Sequence, residues 1–350
     1  MHFMHTNTAR LFILLERKCG EMTLKKQILI IVITMAVFLL FNLSIYVLFT
    51  RRLSNNFSDA TQAQMIDVKN YLPHEEGTEL PQIESSLKLT DNLPVLDGAA
   101  ALVPVYATII HNVYPKGCVT YIGGTFSDDN FYGENFAENS VMQYKNTVRG
   151  YEAIVDGTTD ILFCAAPSQQ QKQYAEEKGI ELVYVPIGLE AFVFFVNNKN
   201  PINNLTTEQI RKIYTCEYTN WSEVGGANRI INPITRLEGS GSQTMFEAFM
   251  GDNEIGKKNI WAITGGALGF SFRYYMNGIV ENKAVKMLSL NGVYPNLENI
   301  QNRSYPIVAQ FYAIYRADNK NENIPVLIDW LLSNEGQMLI EKCGYVRINS

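Results

Sequence analysis

The sequence predicts an α/β fold preceded by one membrane-spanning helix. Short apolar runs alternate with helix-like segments over the last three quarters of the chain, and this alternation is typical of α/β domains with largely parallel sheets. Near the N-terminus, an uncharged apolar run of 22 residues is long enough to cross a bilayer. With 350 residues, the chain can form a globular part of two lobes and an additional segment.

The membrane-spanning helix is predicted over residues 28–49. As a helix of about 33 Å, this run would match the apolar core of a bilayer. A secretory signal peptide would have a shorter apolar core, of about 7–15 residues, and a cleavage site with small residues, whereas Arg51 and Arg52 follow here. Five basic residues precede the run, so residues 1–27 are predicted to be cytoplasmic and the C-terminal part extracytoplasmic. A translation start at Met22 instead of Met1 would weaken this charge difference.

Residues 50–92 are polar and interrupted by prolines, which predicts a helical continuation and then a tether. The globular part is predicted to begin at Leu93. The hydrophobic patterns beyond it predict strands at 94–96, 119–122, 160–165, 181–186, 191–197 and 229–233. They predict helices at 102–112, 147–156, 169–178, 207–214 and 245–250.

Composition gives no support for several kinds of site. The net charge is −6 and no basic stripe with interleaved aromatic residues occurs, so no nucleic-acid-binding surface is predicted. No cysteine and histidine cluster has the spacing of metal ligands, so we expect neither a metal nor an organic cofactor. Cys118, Cys164, Cys216 and Cys343 could form two disulfides outside the cell. We favour small buried hydrophobic residues instead, because Cys164 lies in an apolar run.

The loop from Arg236 to Thr244 carries the strongest functional signal. It connects a predicted strand to a predicted helix and contains two glycines and three hydroxyl residues. N–H groups at a helix start are unpaired and attract anions, glycine lets an anion approach closely, and an arginine can hold two of its oxygens. The loop therefore predicts an anion site. Without Arg236, the simpler interpretation would be a polar loop in which Ser242 or Thr244 caps the helix.

Two further turns precede predicted helices, at 97–101 and just before Thr147. In open α/β sheets, ligands bind at the carboxyl ends of strands, where such turns lead into helices. Donors from these turns could therefore converge with Arg236. Thr147 is as consistent with an ordinary helix start as with a ligand.

Several motifs, taken together, match a known family. The most specific is Arg236 followed by Gly239-Ser240-Gly241-Ser242. Longer stretches that agree lie at 203–206, 220–226, 266–270, 291–295, 298–300, 305–306, 333–337 and 344–346. Residues 93–350 thereby resemble the substrate-binding proteins of phosphate ABC transporters, the PstS-type proteins of the type II periplasmic-binding-protein fold.

The resemblance implies an α/β, two-lobed type II periplasmic-binding-protein fold after the N-terminal transmembrane helix, with one oxyanion in the cleft between the lobes. Lobe I would comprise residues 93–187 and 305–350, and lobe II residues 188–304. The strands that cross between the lobes would lie near 185–192 and 304–312.

The ligand-binding residues implied by matching motifs are Arg236, Ser240, Gly241, Ser242, Thr147, and the backbone N–H groups of Ala100 and Ala101. The chain departs from the family pattern in two places. The family commonly has serine or threonine in the first turn, where this chain has Ala99 to Ala101. The family also often has an acidic residue before the turn at Pro167, and such a carboxylate accepts the proton of hydrogen phosphate and repels sulfate. Asp97, Glu190 or Glu238 could replace it.

The function that the resemblance implies is a membrane-anchored extracellular solute-binding protein. It would capture inorganic phosphate, or a similar oxyanion, and deliver it to ABC permease subunits. The alternative is a binding or signalling module of the same fold that has diverged toward another oxyanion or a protein partner. We predict no enzyme, because a serine nucleophile needs a base and His111 is the only histidine of residues 93–350.

Overall fold

The computed structural model describes residues 23–61, 66–123, 136–236, 238–257, 265–280 and 284–348. The chain divides into two units, Met1–Ser58 and Asp59–Ser350. Helix α1 spans Leu24–Thr61, so the helical continuation beyond residue 49 is confirmed. Its segment Leu24–Val47 is apolar, long enough to cross a membrane, and not buried inside the protein. This segment is a candidate membrane anchor or signal segment, at the position that the sequence predicts.

The globular unit contains short strands and helices in alternation. The strands are β1 (Leu96–Gly98), β2 (Ile161–Ala165), β3 (Leu182–Asn197), β4 (Asn204–Leu205), β5 (Ile231–Pro233), β6 (Gly266–Phe272), β7 (Val285–Met287), β8 (Ser289–Leu290), β9 (Val308–Arg316) and β10 (Val346–Arg347). The helices are α2 (Val103–Val113), α3 (Asn146–Asp156), α4 (Gln169–Glu177), α5 (Thr207–Tyr214), α6 (Gly241–Met250), α7 (Leu297–Gln301), α8 (Asn323–Leu332) and α9 (Asn334–Lys342).

One sheet organises the described part of this unit. Its strands follow the order β1-β2-β9-β3-β6-β5, and β7 and β10 also pair with β3. The pairs β1–β2 and β5–β6 are parallel, whereas β3 is antiparallel to β9 and β6. The α/β class is confirmed. The expectation of a largely parallel sheet is wrong, because β3 and β9 run in opposite directions through its centre.

Strand β3 is the longest element of the sheet. The sequence predicts two separate strands here, and β3 joins them into one. Its pairing with β9 shifts register between Pro186 and Gly188 but continues on both sides of the shift. Its apolar core, with Phe192 and Phe194 fully buried, explains why this run has no alternation of polar residues. The predicted strand at 119–122 is reduced to one isolated bridge between Tyr121 and Phe136.

The helices predicted at 102–112, 147–156, 169–178 and 207–214 are found within one residue of those limits. Helices α4 and α5 begin where the sequence provides a capping box. Ser168 with Gln171 caps α4, and Thr206 with Gln209 caps α5, so each pair satisfies two backbone N–H groups. Helix α6 begins four residues earlier than predicted, at Gly241.

Residues 66–92 lie against the globular domain, although the sequence predicts a tether over 50–92. Buried apolar side chains of this segment are Ile66, Val68, Tyr71, Leu80, Ile83 and Leu89. The Ile83 N–H group donates a hydrogen bond to Asn112 Oδ1 on α2 at 2.8 Å. The packed domain therefore starts earlier than Leu93, because the prolines interrupt regular structure without preventing these side chains from packing.

None of the four cysteines among the described residues forms a disulfide bond. Cys164 and Cys343 are buried in the apolar interior, and Cys118 and Cys216 are half-buried. For the first pair, this confirms the interpretation as small buried hydrophobic residues.

Candidate functional site

A cavity lies where the three predicted turns meet. The start of α6, the turn after β1 and the start of α3 each contribute to its wall. The seven residues that the sequence assigns to a ligand all line it: Arg236, Ser240, Gly241, Ser242, Thr147, Ala100 and Ala101. The structure thus brings the whole set together, and their role as ligands stays a prediction.

Helix α6 presents its N-terminus to the cavity, with Ser240 as the N-cap. Ser240 Oγ accepts a hydrogen bond from the Gln243 N–H group at 3.3 Å, and its carbonyl accepts one from Thr244 at 2.9 Å. The cap is therefore Ser240, not Ser242 or Thr244. Within the described chain, no hydrogen bond engages the N–H groups of Gly241 and Ser242, so the positive end of the helix dipole is open to an anion.

Arg236 enters the cavity from the segment between β5 and α6. Its backbone N–H group donates to Gln243 Oε1 at 2.9 Å, so the first turn of α6 fixes the backbone of the arginine. Burial lowers the pKa of the Arg236 guanidinium, and the nearby Tyr275 phenol opposes this shift. A poorly hydrated guanidinium gains more from an anionic partner than one at the surface does. The electrostatics of the cavity therefore favour an anion.

The starts of α3 and α6 approach each other closely. A methyl group added to Gly241 would lie 3.8 Å from Thr147 Oγ1 and 3.7 Å from the Ala165 side chain. Thr147 is itself buried, and its N–H group donates to Asn146 Oδ1 at 2.8 Å. The Thr147 hydroxyl is consequently within reach of a ligand held at the start of α6.

In the turn after β1, two backbone N–H groups donate hydrogen bonds within the chain. Ala99 donates to the Phe163 carbonyl at 2.8 Å, and Ala100 donates to Asn146 Oδ1 at 3.3 Å. Ala100 lines the cavity while its N–H group donates to Asn146, and its role as a backbone ligand stays a prediction. Asn146 bridges the first turn and the start of α3.

Of the three carboxylates considered as acceptors, Glu190 lines the cavity. It is buried on β3 and accepts a hydrogen bond from Arg273 Nε at 3.1 Å, as well as bonds from two backbone N–H groups. Burial raises the pKa of Glu190, and the Arg273 guanidinium opposes that rise. Asp97 is fully buried below the first turn, where it pairs with Lys145, and Glu238 is exposed.

Four aromatic side chains, Phe272, Tyr275, Phe311 and Tyr345, line the same cavity, and we call them the aromatic wall. The rings of Phe311 and Tyr345 lie 5.0 Å apart between centroids. The Tyr345 hydroxyl donates to the Ala101 carbonyl, so it is engaged by the turn after β1. Half-buried methyl groups of Ala99, Ala101 and Ala165 extend this apolar surface.

Helix α4 contacts the loop that leads into α6. Gln171 Nε2 donates to the Gly239 carbonyl at 3.1 Å, and Gln170 Nε2 donates to Glu238 Oε1 at 2.6 Å. Gln171 also accepts from the Ser168 N–H group through Oε1, as part of the capping box of α4. One buried side chain thus caps α4 and holds the predicted anion-binding loop.

With this geometry established, comparison with known proteins identifies the family. Residues 129–335 match the model of the PBP superfamily domain. The chain belongs to the PBP superfamily. Protein SphX of Synechococcus elongatus is 26% identical over 296 residues, which are 74% of this chain and 87% of that protein. Phosphate-binding protein PstS of Borreliella burgdorferi is 27% identical over 198 residues, which are 51% of this chain and 70% of that protein.

A solved structure shows the same PBP superfamily fold. It is assigned as a phosphate ABC transporter substrate-binding protein from Clostridium perfringens and contains bound phosphate. The alignment covers 75% of this chain and all of that one, with 22% identity and a TM-score of 0.52. The resemblance to PstS-type proteins that the sequence motifs indicate is confirmed.

Sequence reasoning missed several residues that line the cavity of this superfamily member. Asn146 has a φ of 62°, and asparagine is a residue that adopts such turn conformations and bonds nearby N–H groups. An asparagine at a predicted helix start is the sequence signal that could have identified it. Gln310 lies on β9 opposite Leu189 of β3, and no local signal connects it to the loop at Arg236. Among the described residues, no group of three or more metal-ligating side chains occurs.

Proposed function

We propose that this protein is a membrane-anchored, extracytoplasmic solute-binding protein that captures phosphate in the cavity. The convergence of Arg236, Thr147 and the start of α6 on one cavity carries this proposal. A tetrahedral anion needs several donors that point inward, and an arginine with a helix N-terminus supplies them. Phosphate is the ligand named for the PstS relatives and is bound in the Clostridium perfringens structure.

The cavity would lie between two lobes, one formed by residues 93–187 and 305–350 and the other by residues 188–304. Strands β3 and β9 would connect them. Under this division, the contact of Gln171 with the Gly239 carbonyl joins the two lobes beside the cavity. Closure around the anion would then distinguish the loaded protein from the empty one.

The N-terminal helix would hold this domain on the outer side of the membrane, with residues 1–27 in the cytoplasm, and ABC permease subunits would receive the ligand. No catalysis is proposed, because His111 lies on α2 and bonds to His74 and Gln82 instead of a cavity hydroxyl. Labelling an introduced exposed cysteine, Ser86→Cys, in intact cells tests the orientation. Protection of this cysteine from a membrane-impermeant reagent would contradict it.

Titration calorimetry of the full chain in detergent tests phosphate binding. We expect saturable binding that Arg236→Ala weakens by at least about tenfold, because a charge-assisted hydrogen bond contributes about 1.5–3 kcal/mol. Arg229→Ala is the matched control, since it removes the same charge from an exposed residue outside the cavity. If neither phosphate nor sulfate binds the unaltered chain, the proposal fails and the diverged module is favoured.

A further inference from the structure

Residues 28–47 of helix α1 contain one amide side chain, that of Asn42. It lies in the candidate membrane segment Leu24–Val47, which is not buried inside the protein, and Asn42 is exposed. The nearest charged residues are Lys26 and Arg51, about 24 Å and about 14 Å away along the helix axis. Since the apolar core of a bilayer is about 30 Å thick, Asn42 would lie close to its middle.

Helix α1 leaves part of the hydrogen-bonding capacity of Asn42 unused. Its Nδ2 group donates to the Phe38 carbonyl at 2.7 Å. An asparagine amide has a second N–H group and a carbonyl oxygen, and within the described part of the chain no hydrogen bond engages either of them. Thr34 and Ser44 differ, because the single hydroxyl donor of each bonds to the carbonyl four residues earlier. A bilayer core has no water to satisfy the remaining groups of Asn42, so their exposure to lipid is unfavourable.

The position of Asn42 selects one face of this largely apolar segment. Counted in heptads, Asn42 occupies an a position, and residues at a and d form the contact face of helices that pack side by side. Ser44 lies two residues after Asn42 and therefore on another side of the helix. The other a and d residues are exposed apolar side chains, and together with Asn42 we call them the Asn42 face: Ile28, Ile31, Met35, Phe38 and Ile45.

A second copy of this chain supplies the groups that Asn42 lacks. Two copies inserted in one membrane have the same orientation, so two parallel α1 helices place their Asn42 side chains at the same depth. An amide is both donor and acceptor, so the two side chains can bond reciprocally across a two-fold axis, each N–H group donating to the other Oδ1. In soluble coiled coils, a single asparagine at an a position sets the register and the number of helices.

We propose that helix α1 associates with helix α1 of a second copy of this chain through the Asn42 face. The two helices run parallel, with the Asn42 amides bonded to each other in the apolar layer and the apolar members of the face packed above and below them. Close packing and interhelical hydrogen bonds are the forces that associate helices in a membrane. This inference rests on the membrane anchoring in the proposed function, and it does not depend on phosphate binding in the cavity.

Energy transfer between full-length chains in liposomes tests the proposal. One population carries a donor dye at its N-terminus and the other an acceptor dye, and transfer is measured as the ratio of lipid to protein is raised. We expect more transfer than randomly distributed chains give. Asn42→Leu keeps a similar volume without the amide and should raise the dissociation constant about 3- to 30-fold, the range expected for interhelical hydrogen bonds between polar side chains.

Two further variants locate the effect. Ser44→Ala is the matched control, because it removes a hydroxyl group that already donates within its own helix and lies outside the Asn42 face, so the dissociation constant should not change. Asn42→Gln keeps an amide and should associate more tightly than Asn42→Leu. Equal dissociation constants for the unaltered chain and Asn42→Leu would overturn the inference.

Flotation of the same liposomes separates the two ways in which the proposal can fail. A chain that floats with the liposomes but shows only random transfer at every ratio overturns self-association, including the case in which Asn42 bonds to a helix of a different membrane protein. A chain that does not float with them contradicts the proposed membrane anchoring itself.

Discussion

Glycine has no side chain, and this matters for stability at Gly98 and for the proposed binding at Gly241. A methyl group added to Gly98 on β1 would lie 2.7 Å from the Phe163 carbonyl oxygen and 2.8 Å from the buried ring of Tyr106. Neither neighbour can move without disturbing the sheet or the packing of α2. We predict that Gly98→Ala lowers the free energy of unfolding by about 1–3 kcal/mol, as overpacking does, measured by urea unfolding of residues 59–350. An unchanged unfolding midpoint would contradict this.

Gly241 is the opposite case. The same methyl group would meet its neighbours at 3.7 to 3.9 Å, which are ordinary contacts, so Gly241→Ala should leave the unfolding midpoint nearly unchanged. It would nevertheless occupy the space between the α6 N-terminus and Thr147, where the anion is proposed to lie. We expect phosphate affinity to fall by about tenfold, measured by calorimetry. Affinity equal to that of the unaltered chain would place the anion elsewhere.

At the scale of elements, one contact that holds the segment 66–92 against α2 requires a neutral histidine. The His74 N–H group donates to His111 Nδ1 at 3.0 Å, and His111 Nε2 lies 2.9 Å from Gln82 Oε1. Burial lowers the pKa of His111, and the positive charge of Lys116 adds to this. A protonated ring has no acceptor at Nδ1, so the first contact is lost when His111 gains a proton.

The sign of the pH dependence follows from the lowered pKa. Stabilisation by the neutral ring is present at pH 7 and is lost as the pH falls through 6.5 toward the lower pKa of the folded state. We predict that His111→Phe reduces the decrease in melting temperature between pH 7 and pH 5, measured by circular dichroism. Asp97, Glu190 and His74, whose pKa is also lowered by burial, titrate in both chains, so the difference between the chains isolates the contribution of His111. Parallel melting curves for the two chains would refute the prediction.

Sequence patterns located most elements because the deciding signals are local. Capping boxes and the apolar run of β3 are visible within a few residues, and the loop from Arg236 to Ser242 is recognisable on its own. The packing of residues 66–92 was not predictable, because scattered apolar residues among prolines and charges resemble a linker until their burial is known. The same limit applies to Glu190 and Gln310, which reach the cavity through strand pairing over more than a hundred residues.

For the whole molecule, the contact between α4 and the predicted anion-binding loop predicts a coupling between closure and affinity. Gln171 uses its two polar ends differently, with Oε1 on the Ser168 N–H group and Nε2 on the Gly239 carbonyl. Gln171→Glu keeps the acceptor that caps α4 and replaces the donor by a second oxygen, which repels that carbonyl. If the two lobes meet here, this change disfavours the closed state without removing any anion ligand.

We therefore predict that Gln171→Glu weakens phosphate binding by about 1–3 kcal/mol, or roughly 5- to 150-fold, because a ligand that binds the closed state must also supply the energy of closing. The matched control is Gln169→Glu, which adds the same charge to an exposed position on the same helix. A larger loss of affinity in Gln171→Glu than in Gln169→Glu, measured by calorimetry, assigns the effect to the contact and not to charge. Equal losses would mean that the glutamine holds the loop without contributing to closure.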